Sequence, residues 1–167
     1  SGEILLCPEG LSFWGGVDPE TGTIIDIHHP CYQQNISGKI LMMPSSRGSC
    51  SGSGVLLELC LKNIAPAAII FHEAEEILSL GALVAERIFN KPIPIIKLKK
   101  QHYLILRKSS WATIHGNRLQ TDSFDFELTV IKTEHLYLSK YDKDILVGKH
   151  GNAAKTAMEI ICLMAAA

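Results

Sequence analysis

The stretch "KILMMPSSRGSCSGSGVLLELCLKNIAPAAIIFHEAEEILSLGALVAERIFNKPIPII", residues 39–96, alternates short apolar runs with longer helical periodicities. That alternation decides the fold. Lys39 to Pro44 is an apolar run stopped by proline and reads as a buried strand. From about Gly52 to Asn63 the apolar residues Leu56, Leu59, Cys60 and Ile64 recur at helical intervals, with Glu58 and Lys62 in the favourable i,i+4 charge order. The serines before this run are natural N-caps. "PAAIIFH" reads as a second buried strand, and "EEILSLGALVAERIFN" as a helix whose stripe is Ile77, Leu80, Gly81, Val84 and Ile88. Its acidic start and Arg87 near its end both suit the helix dipole. "KPIPII" supplies a third strand. Strand, helix, strand, helix, strand implies parallel strands joined by crossover helices, an α/β domain.

Outward from this unit, "SFWGGVDPETGTIIDI" reads as two extended runs around a Pro/Gly turn, a hairpin, and "HHPCYQQNISG" as loop. "KKQHYLILRK" predicts a short helix and "WATIHGNRLQT" a final hairpin around His115-Gly116-Asn117. Trp14 and Trp111 read as core or hairpin-packing aromatics. The result is α/β with mixed parallel and antiparallel strands. Near the end, "NAAKTAMEIICLMAAA" predicts a strong helix that is apolar on nearly every face and so requires a large partner surface.

The chain has 167 residues, 47% of them hydrophobic, enough for one domain with a real core or one domain plus a fragment. Its formal net charge of −1, with both signs mixed along the chain, points away from nucleic acid and from anionic membrane surfaces. The apolar runs are too short or too interrupted for a membrane span, which needs about 20 residues. Cysteines stand at 7, 31, 50, 60 and 162 without a C-x-x-C pair, the pattern of reduced, mostly buried thiols in a cytoplasmic protein. No self-contained metal site is legible from that spacing, and His28 and His29 read as solvent- or backbone-bonded for want of a third ligand nearby. The carboxylates of "HEAEE" read as a solvated face matched to the helix dipole. Ser1-Gly2, without an initiating Met, reads as a cut or processed end.

The candidate site is "SSRGSCSGSG", residues 45–54. It leaves the C-terminal end of a predicted strand and enters a helix N-terminus, where free backbone N–H groups and a positive dipole end favour an anion. Open α/β sheets bind ligands at that edge. Glycines 48, 52 and 54 would allow close backbone approach, Arg47 could clamp a carboxylate or phosphate, and the hydroxyls of Ser49, Ser51 and Ser53 would lie near a bound acid. The stretch matches neither a Walker loop nor G-x-G-x-x-G nor the G-x-S-x-G elbow. Taken by composition alone, it also fits a flexible surface loop that caps a helix.

Three segments in order, "LSFWGGVDPETGTIIDIHHP", "GKILMMPSSRGSCSGSGVLLE" and "EEILSLGALVAERIFNKPIPII", together resemble the small or swivel domain of the aconitase X family over about Leu11 to Ile96. The resemblance implies a swivelling β/β/α domain that closes over a large iron-dependent catalytic domain. It implies hydro-lyase chemistry, the dehydration of a small hydroxy acid such as cis-3-hydroxy-L-proline or mevalonate 5-phosphate. The family's G-S-x-x-G-S loop maps onto Gly48, Ser49, Gly52 and Ser53, which makes Ser49 the expected catalytic base with Ser53 as the fallback, and Arg47, Gly48, Gly52 and Ser53 the expected substrate-binding residues. No metal ligand is expected in this chain, because the resemblance puts the iron or iron–sulfur cluster in the large domain. "YLSKYDKDILVGKHGNAAKTAMEIICLMA" is similar to the opening of that large domain. Residues 1–133 are therefore expected to be the swivel domain, and 134–167 a linker and the first helix of a catalytic domain fused in cis. Alone, the chain would be inactive. The competing expectation is a non-catalytic anion- or partner-binding module using the same loop.

Overall fold

A computed structural model of the chain describes residues 1–128. The expected linker and the apolar helix of the tail, residues 134–167, lie wholly outside the described residues, as do residues 129–133 of the expected swivel domain.

The predicted alternation is present and in register. Strand β1 (Gly2–Leu6) is followed by the two-residue β2 (Leu11–Ser12), β3 (Ile40–Met42) and β4 (Ser46–Arg47). Helix α1 (Ser51–Leu61) leads to β5 (Ala68–Phe71), and α2 (Ile77–Phe89) to β6 (Ile95–Lys97). Helix α3 (Lys100–Leu106) then precedes the antiparallel β7 (Trp111–His115), β8 (Arg118–Gln120) and β9 (Asp125–Glu127). The main sheet has the order β6-β5-β3-β1-β7-β8-β9, with β1, β3, β5 and β6 parallel and β7 antiparallel to β1. Ile40 aligns with Ile4 on one side and Ala68 on the other.

Because the parallel strands are covered on both faces, their residues are buried in alternation toward two cores. Leu41, Ile69 and Phe71 face a core closed by α1 and α2. Ile40, Met42 and Ile70 face a second core closed by α3 and the β7–β9 meander, with Tyr103, Leu106 and Leu119. Residues 2–6 carry no periodicity strong enough to mark a strand, yet they form β1, which joins the parallel and antiparallel halves. The expected hairpin over 12–27 is instead an irregular loop held by isolated bridges, Val17 to Ile24 and Thr23 to Asn35. Its Asp18–Gly22 turn does form, with Gly22 at φ 71°. Trp14 and Trp111 are 62% and 52% exposed, so neither is a core residue; the one sits on the loop and the other on the outer side of β7.

Candidate functional site

All four parallel strands end on one edge, which brings together the segments after Leu6, Met42, Phe71 and Lys97. The Ser/Gly loop lies on this edge. Its first part is ordered as β4, paired in parallel with β2 through Leu11 with Ser46 and Ser12 with Arg47. The Ser46 hydroxyl donates to the Glu75 carboxylate at 2.7 Å. That same carboxylate accepts the amides of Leu78 (2.6 Å) and Ser79 (2.9 Å), capping α2. One acidic group thus closes a helix and anchors the base of the loop.

Gly48 makes the turn out of β4. Its φ is +100°, so the backbone angle favours glycine, and a Cβ there would stand 2.9 Å from the Ser12 hydroxyl, which would have to rotate aside. Arg47, Gly48, Ser49 and Cys50 are exposed. The serines do not cap α1: Cys50 occupies the N-cap position, with no side-chain bond to the first turn. Among the described residues, the N–H groups of Ser49, Cys50 and Ser51 take no backbone partner. They remain available to an anion at the positive end of α1. Arg47 is held against Glu9 at 3.2 Å, an exposed pair that uses part of the guanidinium fork.

Gly52 and Ser53 are placed differently from the expectation. Gly52 is buried against Phe13 and Ile77, and its amide donates to the Ser49 carbonyl. Ser53 is fully buried, and its hydroxyl donates to the Ile77 carbonyl of α2. Both face the α1–α2 packing because the helix begins at Ser51, which turns these positions inward. Of the expected residues, the geometry therefore brings Arg47, Gly48 and Ser49 to the open side of the loop, and the amides of Cys50 and Ser51 join them.

Cys7, His29 and Cys31 also converge near this edge, all buried, with their ligand atoms within 4.8 Å of one another. The spacing of the chain hides this group, since Cys7 follows β1 while the other two sit on an irregular loop. Burial, and then the neighbouring Cys31 sulfur, push the Cys7 thiol well above its ordinary range. Three ligands fall short of the four that an iron–sulfur cluster ordinarily takes, so this group does not fit one. No helix among the described residues is long and apolar enough to cross a membrane.

The family model of the aconitase X swivel domain matches residues 1–121. Cis-3-hydroxy-L-proline dehydratase of Pseudomonas aeruginosa is 44% identical over 173 residues, covering 99% of this chain and 30% of that protein. The phosphomevalonate dehydratase small subunit of Methanococcoides burtonii is 37% identical over 123 residues, covering 73% of this chain and 80% of that subunit. Among solved structures, holo aconitase X of Thermococcus kodakaraensis is 43% identical, with a TM-score of 0.52 over 57% of this chain and 69% of that one. The chain thus spans about 30% of the length of the hydroxyproline dehydratase it matches.

Proposed function

This chain belongs to the aconitase X swivel-domain family, and from that premise we propose that it is the swivel part of a dehydratase of small hydroxy acids, supplying Ser49 as base within an anion-binding loop. The observation that carries this reading is the exposed turn of Arg47 to Cys50 at the N-terminus of α1, where the amides of Ser49, Cys50 and Ser51 take no backbone partner among the described residues. A serine hydroxyl is a weak base at neutral pH, so its alkoxide needs stabilisation. The amides of Cys50 and Ser51, the helix dipole and the Arg47 guanidinium supply positive potential at that point. The same groups would orient a substrate carboxylate or phosphate, and Ser49 would take a proton from the adjacent carbon.

The rest of the reaction requires the large domain, where we place the iron. It would complete the site, and closure of the swivel domain over it would exclude water. Trp14, Ile25 and Ile27, exposed on the loop that follows Ser12, are apolar side chains that such a partner would cover. Alignment to one continuous dehydratase over 99% of this chain supports a large domain fused in cis, and it favours cis-3-hydroxy-L-proline over mevalonate 5-phosphate as substrate. The free thiols of Cys7, Cys31 and Cys60 fit a reducing cytoplasm.

The test is turnover of both acids by the large domain with and without this chain. Dehydration of cis-3-hydroxy-L-proline only when both are present is the expected outcome. Equal activity of the large domain alone would leave this chain as a non-catalytic module.

A further inference from the structure

We propose that Cys7, His29 and Cys31 form a zinc site that clamps the irregular loop around residues 28–36 to the end of β1. The three side chains are buried at 0%, 5% and 4% exposure, and their donor atoms gather within 4.8 Å although they come from two separate parts of the chain. In a tetrahedral zinc site with two sulfurs and one nitrogen, donor atoms lie about 3.5–3.8 Å apart. From separations of up to 4.8 Å, the group has to close by up to about 1 Å to reach that spacing.

Hydrogen bonds fix the tautomer of the imidazole. Its Nδ1 accepts the Cys31 amide at 3.1 Å, which puts the proton on Nε2, and Nε2 faces the Glu9 carbonyl at 3.5 Å. Nδ1 is therefore the nitrogen beside Cys31, and because its one lone pair already accepts that amide, a metal at Nδ1 has to displace the bond. The Nε2–H directed at a backbone carbonyl is the outer-shell partner that metal-bound histidines usually have. Zinc would replace a neutral hydrogen bond at Nδ1 by a coordinate bond.

Charge and chemistry select the ion. Binding converts two thiols to thiolates and releases two protons, and the two thiolates neutralise a divalent ion, so the buried assembly carries no net charge. Thiolate and imidazole together suit zinc rather than calcium or magnesium, which take oxygen donors. A water completes the tetrahedron, and the Leu6 carbonyl, which accepts the Cys31 S–H at 3.5 Å, gives up that bond when the thiol ionises.

The site would stiffen more than its own loop. Between Cys7 and Ser12 the chain carries Glu9, which pairs with Arg47, and β2, which pairs with β4. Metal at Cys7 would thus fix the segment against which the Ser49 loop is laid.

The test is titration of the reduced chain with cobalt(II), a spectroscopic stand-in for zinc, followed by displacement with zinc(II). One equivalent is expected to produce thiolate-to-cobalt charge-transfer absorption and the visible bands of tetrahedral cobalt, both abolished by zinc. Cys31→Ala and His29→Gln are expected to weaken binding at least tenfold, and Cys50→Ala and Cys60→Ala to leave it unchanged. Two ligand variants are used so that one failing to fold does not remove the test. Absence of the charge-transfer band in the folded, fully reduced chain would overturn the proposal. So would bands that persist in both ligand variants.

Discussion

Gly81 lies in α2 where that helix presses on the first turn of α1. A Cβ added there would stand 2.9 Å from the Ser53 carbonyl oxygen, 3.0 Å from its Cα and 3.1 Å from its Cβ. Two effects oppose each other in Gly81→Ala. Alanine is favoured over glycine in a helix interior by about 1 kcal/mol. Against this, the contacted atoms are backbone and Cβ, which cannot rotate aside, so the helices must separate by a few tenths of an ångström; overpacking of this kind costs about 1–3 kcal/mol. Separation also stretches the bond from Ser53 to the Ile77 carbonyl, and a buried hydrogen bond contributes about 1 kcal/mol. The clash wins, and the expected net loss is about 1–2 kcal/mol. In urea, with a slope of about 1–3 kcal/mol per molar for a small protein, the unfolding midpoint falls by roughly 1 M. Because α1 opens at the candidate loop, the amides of Ser49, Cys50 and Ser51 are expected to shift by NMR as well. A midpoint that rises, as helix propensity alone would give, would refute the close packing of α1 on α2 and with it the structural role assigned to Ser53.

Other consequences can be checked on the same material. Burial raises the Cys60 thiol from its ordinary 9.0 to about 11. The neutral thiol is thus favoured in the fold: its contribution is fully present below pH 9, is lost as pH rises toward 11, and amounts to roughly 2–3 kcal/mol. Alkaline unfolding titrations of the parent and of Cys60→Ala should differ in slope across that window; equal slopes would remove Cys60 from the linkage. Exposed Cys50 should alkylate in the native state well before Cys60, as peptide mapping would show, and the reverse order would contradict their placement. Tyr103 is buried with its hydroxyl unpartnered among the described residues. Tyr103→Phe should therefore leave stability unchanged or raise it by up to about 1 kcal/mol, and a loss larger than that would reveal a hydrogen bond to that oxygen.

The parts of the fold that could be read in the sequence are those coded by local pattern. Apolar runs bounded by prolines gave β3, β5 and β6, and helical stripes gave α1 and α2. Their alternation was enough to place the Ser/Gly loop on the ligand-binding edge of a parallel sheet. What stayed hidden depends on contacts distant in sequence. β1 is short and featureless alone, and becomes a strand because β3 and β7 pair with it on either side. Ser53 looks equivalent to Ser49 in the repeating Gly/Ser text, and only the start of α1 at Ser51 separates an inward hydroxyl from an outward one. Cys7, His29 and Cys31 meet because an irregular loop folds back onto the end of β1, which spacing does not encode. Trp14 is exposed because, among the described residues, no second layer covers its loop, although tryptophan is on average a buried residue.

The proposed assignment of Ser49 as base is tested most directly by the turnover of Ser49→Ala in a protein that joins this chain to the proposed large domain, measured on cis-3-hydroxy-L-proline at saturating substrate. Loss of the base should lower kcat by about 10²–10⁴-fold. The unfolding midpoint should move by no more than about 0.5 kcal/mol equivalent, since Ser49 is exposed and packs against little. A folded Ser49→Ala variant that keeps near-normal turnover would contradict the account, leaving the loop as an anion cradle without a base.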